Sequence, residues 1–217
     1  MPHLILTSTQ MSHYLKETEI INFNHVSIRS LVKTLKKDAS DKLVFIQKAF
    51  EFVRDQIKHS ADAHLHKVTC RASEVLSKGH GICFAKSHLL AAILRANDIP
   101  AGFCYQKLIF DEDFSDLYCL HGLNGVFIAS LQKWIRLDAR GNKQGVNAEF
   151  NVKTEQLAFP VRLEKGESDD MTLYAKPLNA VIKILAESQS VAEVMKKLTL
   201  IADEFIPISH PLSKRKK

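Results

Sequence analysis

A change of sequence pattern near residue 100 is the feature that most limits how this chain can fold. Before it, the apolar residues of 40–59 recur every three or four positions, as on one face of a helix. After it come three short apolar segments, 103–110, 120–128 and 134–138, which are rich in β-branched or aromatic residues. Helices followed by consecutive strands predict an α+β fold with an antiparallel sheet, and they argue against a doubly wound α/β fold.

Further helices are predicted on both sides of these strands, at 27–37, 73–78, 83–96, 177–186 and 191–200. Between the strands, 111–116 is predicted to form an acidic loop and 129–132 a turn. No repeat or long linker divides the sequence, so we expect a single domain over residues 1–217. Its core should cover about residues 40–140, and a C-terminal helical extension about residues 150–210.

The composition is that of a globular protein, since 46% of the 217 residues are hydrophobic and 25% are charged. A chain of this length can bury a substantial core, which excludes a wholly disordered protein. No run of apolar residues is long enough to predict a membrane span. The opening segment, Met1–Thr7, is too short and too polar for a signal peptide. We therefore expect a soluble, cytoplasmic protein with no membrane partner.

The net charge of +6 is concentrated at the C-terminus, where Lys214–Lys217 supply four of the six net positive charges. The rest of the chain is close to neutral, whereas a nucleic-acid binder needs a clustered basic surface on its folded body. Nucleic acid is therefore not an expected partner. We expect the basic tail to be a solvated end, with weak binding of polyanions as the alternative.

The four cysteines show neither a CxxC spacing nor a zinc-finger spacing, and no export signal favours disulfides. Cys83 differs from the others because it follows the glycine-rich break 79–81 and begins a predicted buried helix. The positive end of a helix dipole favours a thiolate over a thiol. Glycines beside it would let a substrate approach, and a backbone N–H at the helix start could stabilise an oxyanion. These features make Cys83 a candidate nucleophile.

His121 and Asp138 stand where they could complete a catalytic group with Cys83. His121 lies at the start of the second predicted strand, and Asp138 ends the third. If the two strands are neighbours, both side chains can face the start of the helix. An imidazole beside a thiol makes a thiolate–imidazolium pair, and a carboxylate on the other ring nitrogen fixes its orientation. From the residues alone, the other interpretation of Cys83 is a small buried apolar side chain.

An ordered series of short motifs runs through about residues 40–140: Phe50–Asp55, Ala72–Leu76, Gly79, Gly81–Cys83, Lys86–Arg95, Ile99–Ala101, His121–Gly122 and Trp134–Asp138. This series resembles the core of the transglutaminase-like superfamily. The resemblance implies a papain-like α+β fold with Cys83 as nucleophile, His121 as general base and acid, and Asp138 as the residue that orients the imidazole. It implies acyl transfer on peptide or amide substrates, with no cofactor and no metal ligand.

The resemblance leaves the reaction open. The superfamily includes protein cross-linking enzymes, peptidases, deglycosylating amidases and members that have lost catalysis. Calcium-dependent cross-linkers carry extra β-domains, for which this chain has no room, so we expect a small thiol hydrolase or acyltransferase, with hydrolysis as the main reaction. The alternative is a non-catalytic peptide-binding or interaction module on the same fold.

Two further sets of residues compete with this interpretation. Cys119 is two residues from His121, so on a strand both would point to one face and Cys119 is a rival nucleophile, although it lacks a helix start. Cys70 and Cys104 are predicted to be structural. A polar segment between the second and third predicted helices could suggest a metal site, but it lacks the spacing of a zinc protease, and we expect a polar loop beside the cleft. The residues of that segment are His59, His64 and His66, with Asp55 and Asp62.

Overall fold

The structure is a computed structural model, which describes residues 4–111 and 114–204. The predicted basic tail, Lys214–Lys217, lies outside these ranges, as do the first three residues. Six helices are present in the described ranges: α1 (Val26–Lys37), α2 (Lys42–Gln56), α3 (Ala72–Lys78), α4 (Cys83–Arg95), α5 (Asn179–Glu187) and α6 (Val191–Glu204). Seven strands accompany them: β1 (Ile5–Leu6), β2 (Lys58–His59), β3 (His80–Gly81), β4 (Ala101–Asp111), β5 (Phe114–Ile128), β6 (Lys133–Leu137) and β7 (Ser168–Tyr174).

All six predicted helices are confirmed, with ends that differ by a few residues. Helix α2 shows why the periodic pattern was informative. The Asp41 side chain accepts a hydrogen bond from the backbone N–H of Val44 and caps the helix start. The apolar positions at three- and four-residue spacing are buried along its length, so tertiary packing stabilises the face that the sequence marks.

Strands β4, β5 and β6 form the predicted antiparallel arrangement, at one side of a five-stranded sheet of order β1-β7-β4-β5-β6. The α+β fold is thus confirmed. The predicted acidic loop at 111–116 is wrong in extent, because β4 runs to Asp111 and β5 starts at Phe114, with these two residues paired. Cross-strand backbone hydrogen bonds continue through residues of low strand propensity, which overrides the local preference.

Helix α4 forms the centre of the protein, and all of its residues are buried. It packs between helices α2 and α3 and the strands β4 and β5. Its first turn approaches β5 closely, because Gly122 has no side chain. A Cβ atom at Gly122 would lie 2.4 Å from Cδ1 of Phe84. The close contact places the start of α4 against the segment of β5 that carries His121.

No helix within the described residues is long and apolar enough to cross a lipid bilayer.

Candidate active site

Cys83 is the first residue of α4 and follows Ile82, which has extended backbone angles. The first hydrogen bond of the helix runs from the N–H of Lys86 to the carbonyl of Ile82. The N–H groups of the residues before Lys86 therefore have no acceptor within the helix, and the positive end of the helix dipole lies at the thiol. The prediction that Cys83 begins a buried helix is confirmed.

A short pair of parallel strands fixes the segment that leads into α4. Gly79 ends α3 in the left-handed region with a φ of 70°, where glycine is favoured. Strand β3 then pairs with β2, with His59 opposite Gly81. The chain therefore reaches Cys83 in a defined direction, and His59 is brought close to the start of α4.

His121 and Asp138 are hydrogen-bonded, with Nε2 of the imidazole 2.8 Å from Oδ2 of the carboxylate. His121 lies in β5, and Asp138 directly follows β6, which is the neighbour of β5 in the sheet. The predicted pairing of the two strands is confirmed. The carboxylate of Asp138 also accepts hydrogen bonds from the backbone N–H groups of Arg140, at 3.2 Å, and Ala158, at 3.1 Å. Both side chains are almost completely buried.

The electrostatics of this pair favour a charged imidazole. Burial would raise the pKa of Asp138, but the neighbouring His121 and the hydrogen bonds lower it below its usual value. Burial would lower the pKa of His121, but the charges of Asp138 and Cys83 and the hydrogen bond to Asp138 raise it to about 10. Because Nε2 is bonded to Asp138, Nδ1 is the ring nitrogen left for the thiol. The side chain of Phe159 packs edge-on against the same imidazole, with 5.2 Å between the ring centroids.

Cys83 and His121 open into one cavity of about 500 Å³. Its walls come from the start of α4, from strands β4 and β5, from the segments that follow β6, and from α6. Asp138 lies behind His121 and is not part of the wall. The arrangement exposes the thiol and the imidazole to a ligand while the carboxylate stays shielded from solvent.

The other three cysteines have thiols that are hard to ionise. Cys119 lines the same cavity, but burial raises the pKa of its thiol to about 12. Burial also raises the pKa of Cys70 to about 11, and it raises the pKa of Cys104 well above its usual value. Because the thiolate is the nucleophilic form, these three are poor nucleophiles at neutral pH.

A second polar cluster lies beside the cavity, and the sequence analysis found only part of it. The guanidinium of Arg140 donates two hydrogen bonds to the carboxylate of Asp62, at 2.5 and 3.0 Å, and Lys143 donates one at 2.9 Å. Burial would raise the pKa of Asp62, but the hydrogen bonds from Arg140 and Lys143 lower it to about 2. The sequence analysis placed Asp62 in a polar loop beside the cleft, but it did not predict that Arg140 and Lys143 are its partners.

His59 lies at the edge of this cluster and lines the cavity, whereas His64 and His66 do not. Its Nδ1 is 3.6 Å from Oδ2 of Asp62, which is too long for a hydrogen bond. Burial, with the nearby charge of Arg140, lowers the pKa of His59 to about 3. In the described part of the chain, no group of three or more His, Cys, Asp or Glu residues is placed to hold a metal ion, so the alternative of a metal site in this segment has no support there.

Comparison with known proteins gives a family match and distant matches to solved structures. The family described as Transglutaminase-like superfamily matches residues 29–139. No curated protein matches the chain.

Among solved structures, a candidate cysteine protease from Cytophaga hutchinsonii is 15% identical, with a TM-score of 0.49 over 61% of this chain and 43% of that chain. A candidate protease from Parabacteroides distasonis ATCC 8503 is 10% identical, with a TM-score of 0.37 over 70% of this chain and 30% of that chain. The chain thus spans less than half the length of either protein. The family match covers half of the chain and includes Cys83, His121 and Asp138, so the protein belongs to the transglutaminase-like superfamily.

Proposed function

We propose that the protein is a cysteine-dependent acyl-transfer enzyme that acts on peptide or amide substrates. In this proposal Cys83 is the nucleophile, His121 is the general base and acid, and Asp138 orients the imidazole. One observation supports it most directly: the hydrogen-bonded pair of His121 and Asp138 shares a cavity with a cysteine at the start of a buried helix. This combination of nucleophile, base and orienting carboxylate is the arrangement that covalent acyl transfer needs.

In the acylation step, Nδ1 of His121 holds the proton of Cys83, and the thiolate sulfur attacks the carbonyl carbon of the substrate. Backbone N–H groups at the start of α4 stabilise the resulting oxyanion. The tetrahedral intermediate collapses when the C–N bond breaks, and the imidazolium gives its proton to the leaving amine. The products of this step are a thioester on Cys83 and the free amine.

In the deacylation step, His121 removes a proton from the acceptor, which attacks the thioester carbonyl. The C–S bond then breaks, and the proton returns to the Cys83–His121 pair. We propose that water is the usual acceptor, because water reaches any open cavity whereas an amine needs a binding site of its own. A carboxylic acid is then the product, and an amine acceptor would give a new amide.

The test is to incubate the purified protein with a broad peptide library, with and without a biotinylated primary amine, and to measure product masses. Hydrolysis cleaves a peptide into two shorter products. Deamidation converts an amide side chain into an acid. Transfer to the amine changes the mass of the acyl product by the mass of the added amine minus that of the amine or ammonia released. Cys83→Ser should abolish all products, because serine is far less acidic than a thiol. Cys119→Ser should keep them, and it is the matched control in the same cavity.

Two results would contradict the proposal. Turnover that survives Cys83→Ser but is lost in Cys119→Ser would move the nucleophile to β5. Absence of products, together with alkylation of Cys83 as slow as that of Cys70, would favour the non-catalytic binding module.

A further inference from the structure

One wall of the cavity into which Cys83 opens presents two cations, whereas the carboxylate that they share does not line the cavity. Arg140 and Lys143 line the cavity, but their shared partner Asp62 does not. One carboxylate therefore accepts from two cations, and it neutralises only one of them. The positive charge that remains faces the space where a substrate would lie.

Lys143 has hydrogen-bond donors that Asp62 does not use. Its ammonium group carries three N–H donors, and Asp62 accepts one of them at 2.9 Å. Its side chain is 49% exposed, so the ammonium can turn toward a ligand in the cavity. Arg140 is held more rigidly, because its two hydrogen bonds to Asp62 fix the plane of the guanidinium.

His59 adds a polar group that lacks a partner. Its side chain is only 9% exposed and lines the cavity, and its buried Nδ1 makes no hydrogen bond to any described residue. A buried polar group without a partner is costly, and such a group next to a cavity can gain a partner from a ligand. In the neutral imidazole with its proton on Nδ1, this N–H can donate a hydrogen bond to a carboxylate that enters the cavity.

The remaining carboxylates of the site are paired with cations. Glu167 accepts hydrogen bonds from Nε of Arg162 at 3.2 Å and from its terminal nitrogen at 2.6 Å, so this pair adds no net charge. The cationic His121 is balanced by Asp138, with which it is hydrogen-bonded, so a thiolate at Cys83 adds one negative charge. The positive charge that no carboxylate balances therefore lies on the wall formed by Arg140 and Lys143.

We propose that His59, Arg140 and Lys143 form a subsite that binds a carboxylate group of the substrate beside Cys83. The enzyme would then prefer acyl donors that carry an acidic side chain or a free α-carboxylate close to the reacting amide. The inference rests on the proposed function in one respect, namely that Cys83 is the reacting thiol.

The first test compares the alkylation of Cys83 by iodoacetate, which is an anion, and by iodoacetamide, which is neutral. Both rate constants are measured at the Cys83 peptide by mass spectrometry. The rate constant for iodoacetate is divided by that for iodoacetamide, and this ratio is then divided by the same ratio for free cysteine. We expect a normalised ratio above one that falls by about fivefold in Lys143→Glu, because the charge near the thiol changes sign. It should also fall as salt rises from about 0.05 M to about 0.5 M. Lys33→Glu, at an exposed position of α1 that does not line the cavity, is the matched control and should leave it unchanged.

The second test separates the two sources of the carboxylate. The α-amide of N-acetylglutamate carries an acidic side chain, N-acetylalanine carries a free α-carboxylate, and N-acetylalaninamide carries neither. Each is tested for protection of Cys83 from iodoacetamide. We expect protection by one or both of the acids and none by the neutral amide. His59→Phe should raise the concentration of acid needed for half protection by about threefold or more, because the variant removes a hydrogen-bonding group.

The outcomes for the subsite and for the proposed function are distinct. The normalised ratio is defined whether alkylation is fast or slow, so it tests the subsite even if the protein turns over no peptide. An unchanged ratio in Lys143→Glu, or equal protection by the neutral amide and the acids, would overturn the carboxylate subsite. Loss of reactivity at Cys83 with a normal charge dependence would instead contradict the proposed function alone.

Discussion

The ring of Phe84 packs directly against the backbone of Gly122, so closely that a Cβ atom on Gly122 would lie 2.4 Å from the ring. Phe84 follows Cys83 in α4, and Gly122 follows His121 in β5. The contact therefore sets the separation of the two elements that carry the proposed nucleophile and base. Gly122, which follows His121, leaves room for the Phe84 ring because it has no side chain.

Gly122→Ala should push β5 away from the first turn of α4. We expect a loss of stability of about 1–3 kcal/mol, as for overpacking of a well-packed core. We also expect slower alkylation of Cys83 by iodoacetamide, because the thiol and the imidazole are separated. Urea unfolding and alkylation kinetics measure the two effects. The double variant Phe84→Leu, Gly122→Ala should recover part of both losses, and no recovery would mean that the contact does not set the separation.

Much of the site could be predicted from the sequence because its residues stand at local structural boundaries. Cys83 follows a glycine-rich break and begins a helix, and Asp138 ends an alternating apolar segment. These boundaries are set by nearby residues, so a local pattern reveals them. The resemblance to the superfamily added the roles, which remain predictions.

The parts that were missed depend on contacts between distant residues. Arg140 and Asp62 are 78 positions apart, and nothing near either residue marks the other as its partner. Strand β7 begins with polar and acidic residues, which have a low propensity for strands. It lies inside the sheet because Asp169 is held by Arg136, with distances of 2.6 and 2.9 Å, and because it pairs with β4. Such ion pairs offset the cost of placing acidic residues there, and no local pattern predicts them.

Asp138→Asn tests the orientation of the imidazole. The substitution keeps the shape of the side chain but removes the charge that raises the pKa of His121. We expect turnover of the substrate found in the library to fall by about a hundredfold or more, since an amide can stabilise the wrong tautomer. Iodoacetamide labelling of Cys83 at neutral pH should also slow, because an imidazole without the charge of Asp138 is a weaker base for the thiol proton. Asp41→Asn, at the cap of α2, is the matched control and should change neither measurement.

The pH dependence of the free energy of unfolding should show that the pKa of His59 is lowered in the folded protein. Burial lowers the pKa of this imidazole in the folded protein to about 3, from its ordinary value of 6.5. The unfolded chain therefore binds more protons between these values, and the free energy of unfolding should decrease as pH falls from about 6.5 toward about 3. His59→Phe should flatten the decrease in urea unfolding across this range. A smaller slope should persist, because burial also lowers the pKa of His88 to about 4. An equal slope in the variant would show that His59 is not titrating as its burial requires.

Lys86 links the end of α2 to the strand that carries His59. Its replacement should lower both the stability of the protein and the binding of an acid in the cavity. It is fully buried one turn into α4, and its ammonium donates hydrogen bonds to the backbone carbonyls of Arg54 and Ile57. Those carbonyls belong to the end of α2 and to the residue before β2, the strand that carries His59. Lys86→Met keeps most of the volume but leaves both acceptors without this donor.

We expect Lys86→Met to lower the free energy of unfolding by roughly 2–4 kcal/mol, because two buried carbonyls lose a hydrogen bond. Lys33→Met, at an exposed position of α1, should stay within about 0.5 kcal/mol of the parent protein. At a urea concentration where the variant is still folded, N-acetylalanine should protect Cys83 less well from iodoacetamide. The reason is that Ile57, next to β2, loses its hydrogen bond from the ammonium. Unchanged stability would mean that water replaces the ammonium at both carbonyls. Unchanged protection with reduced stability would mean that Lys86 supports α2 without positioning His59.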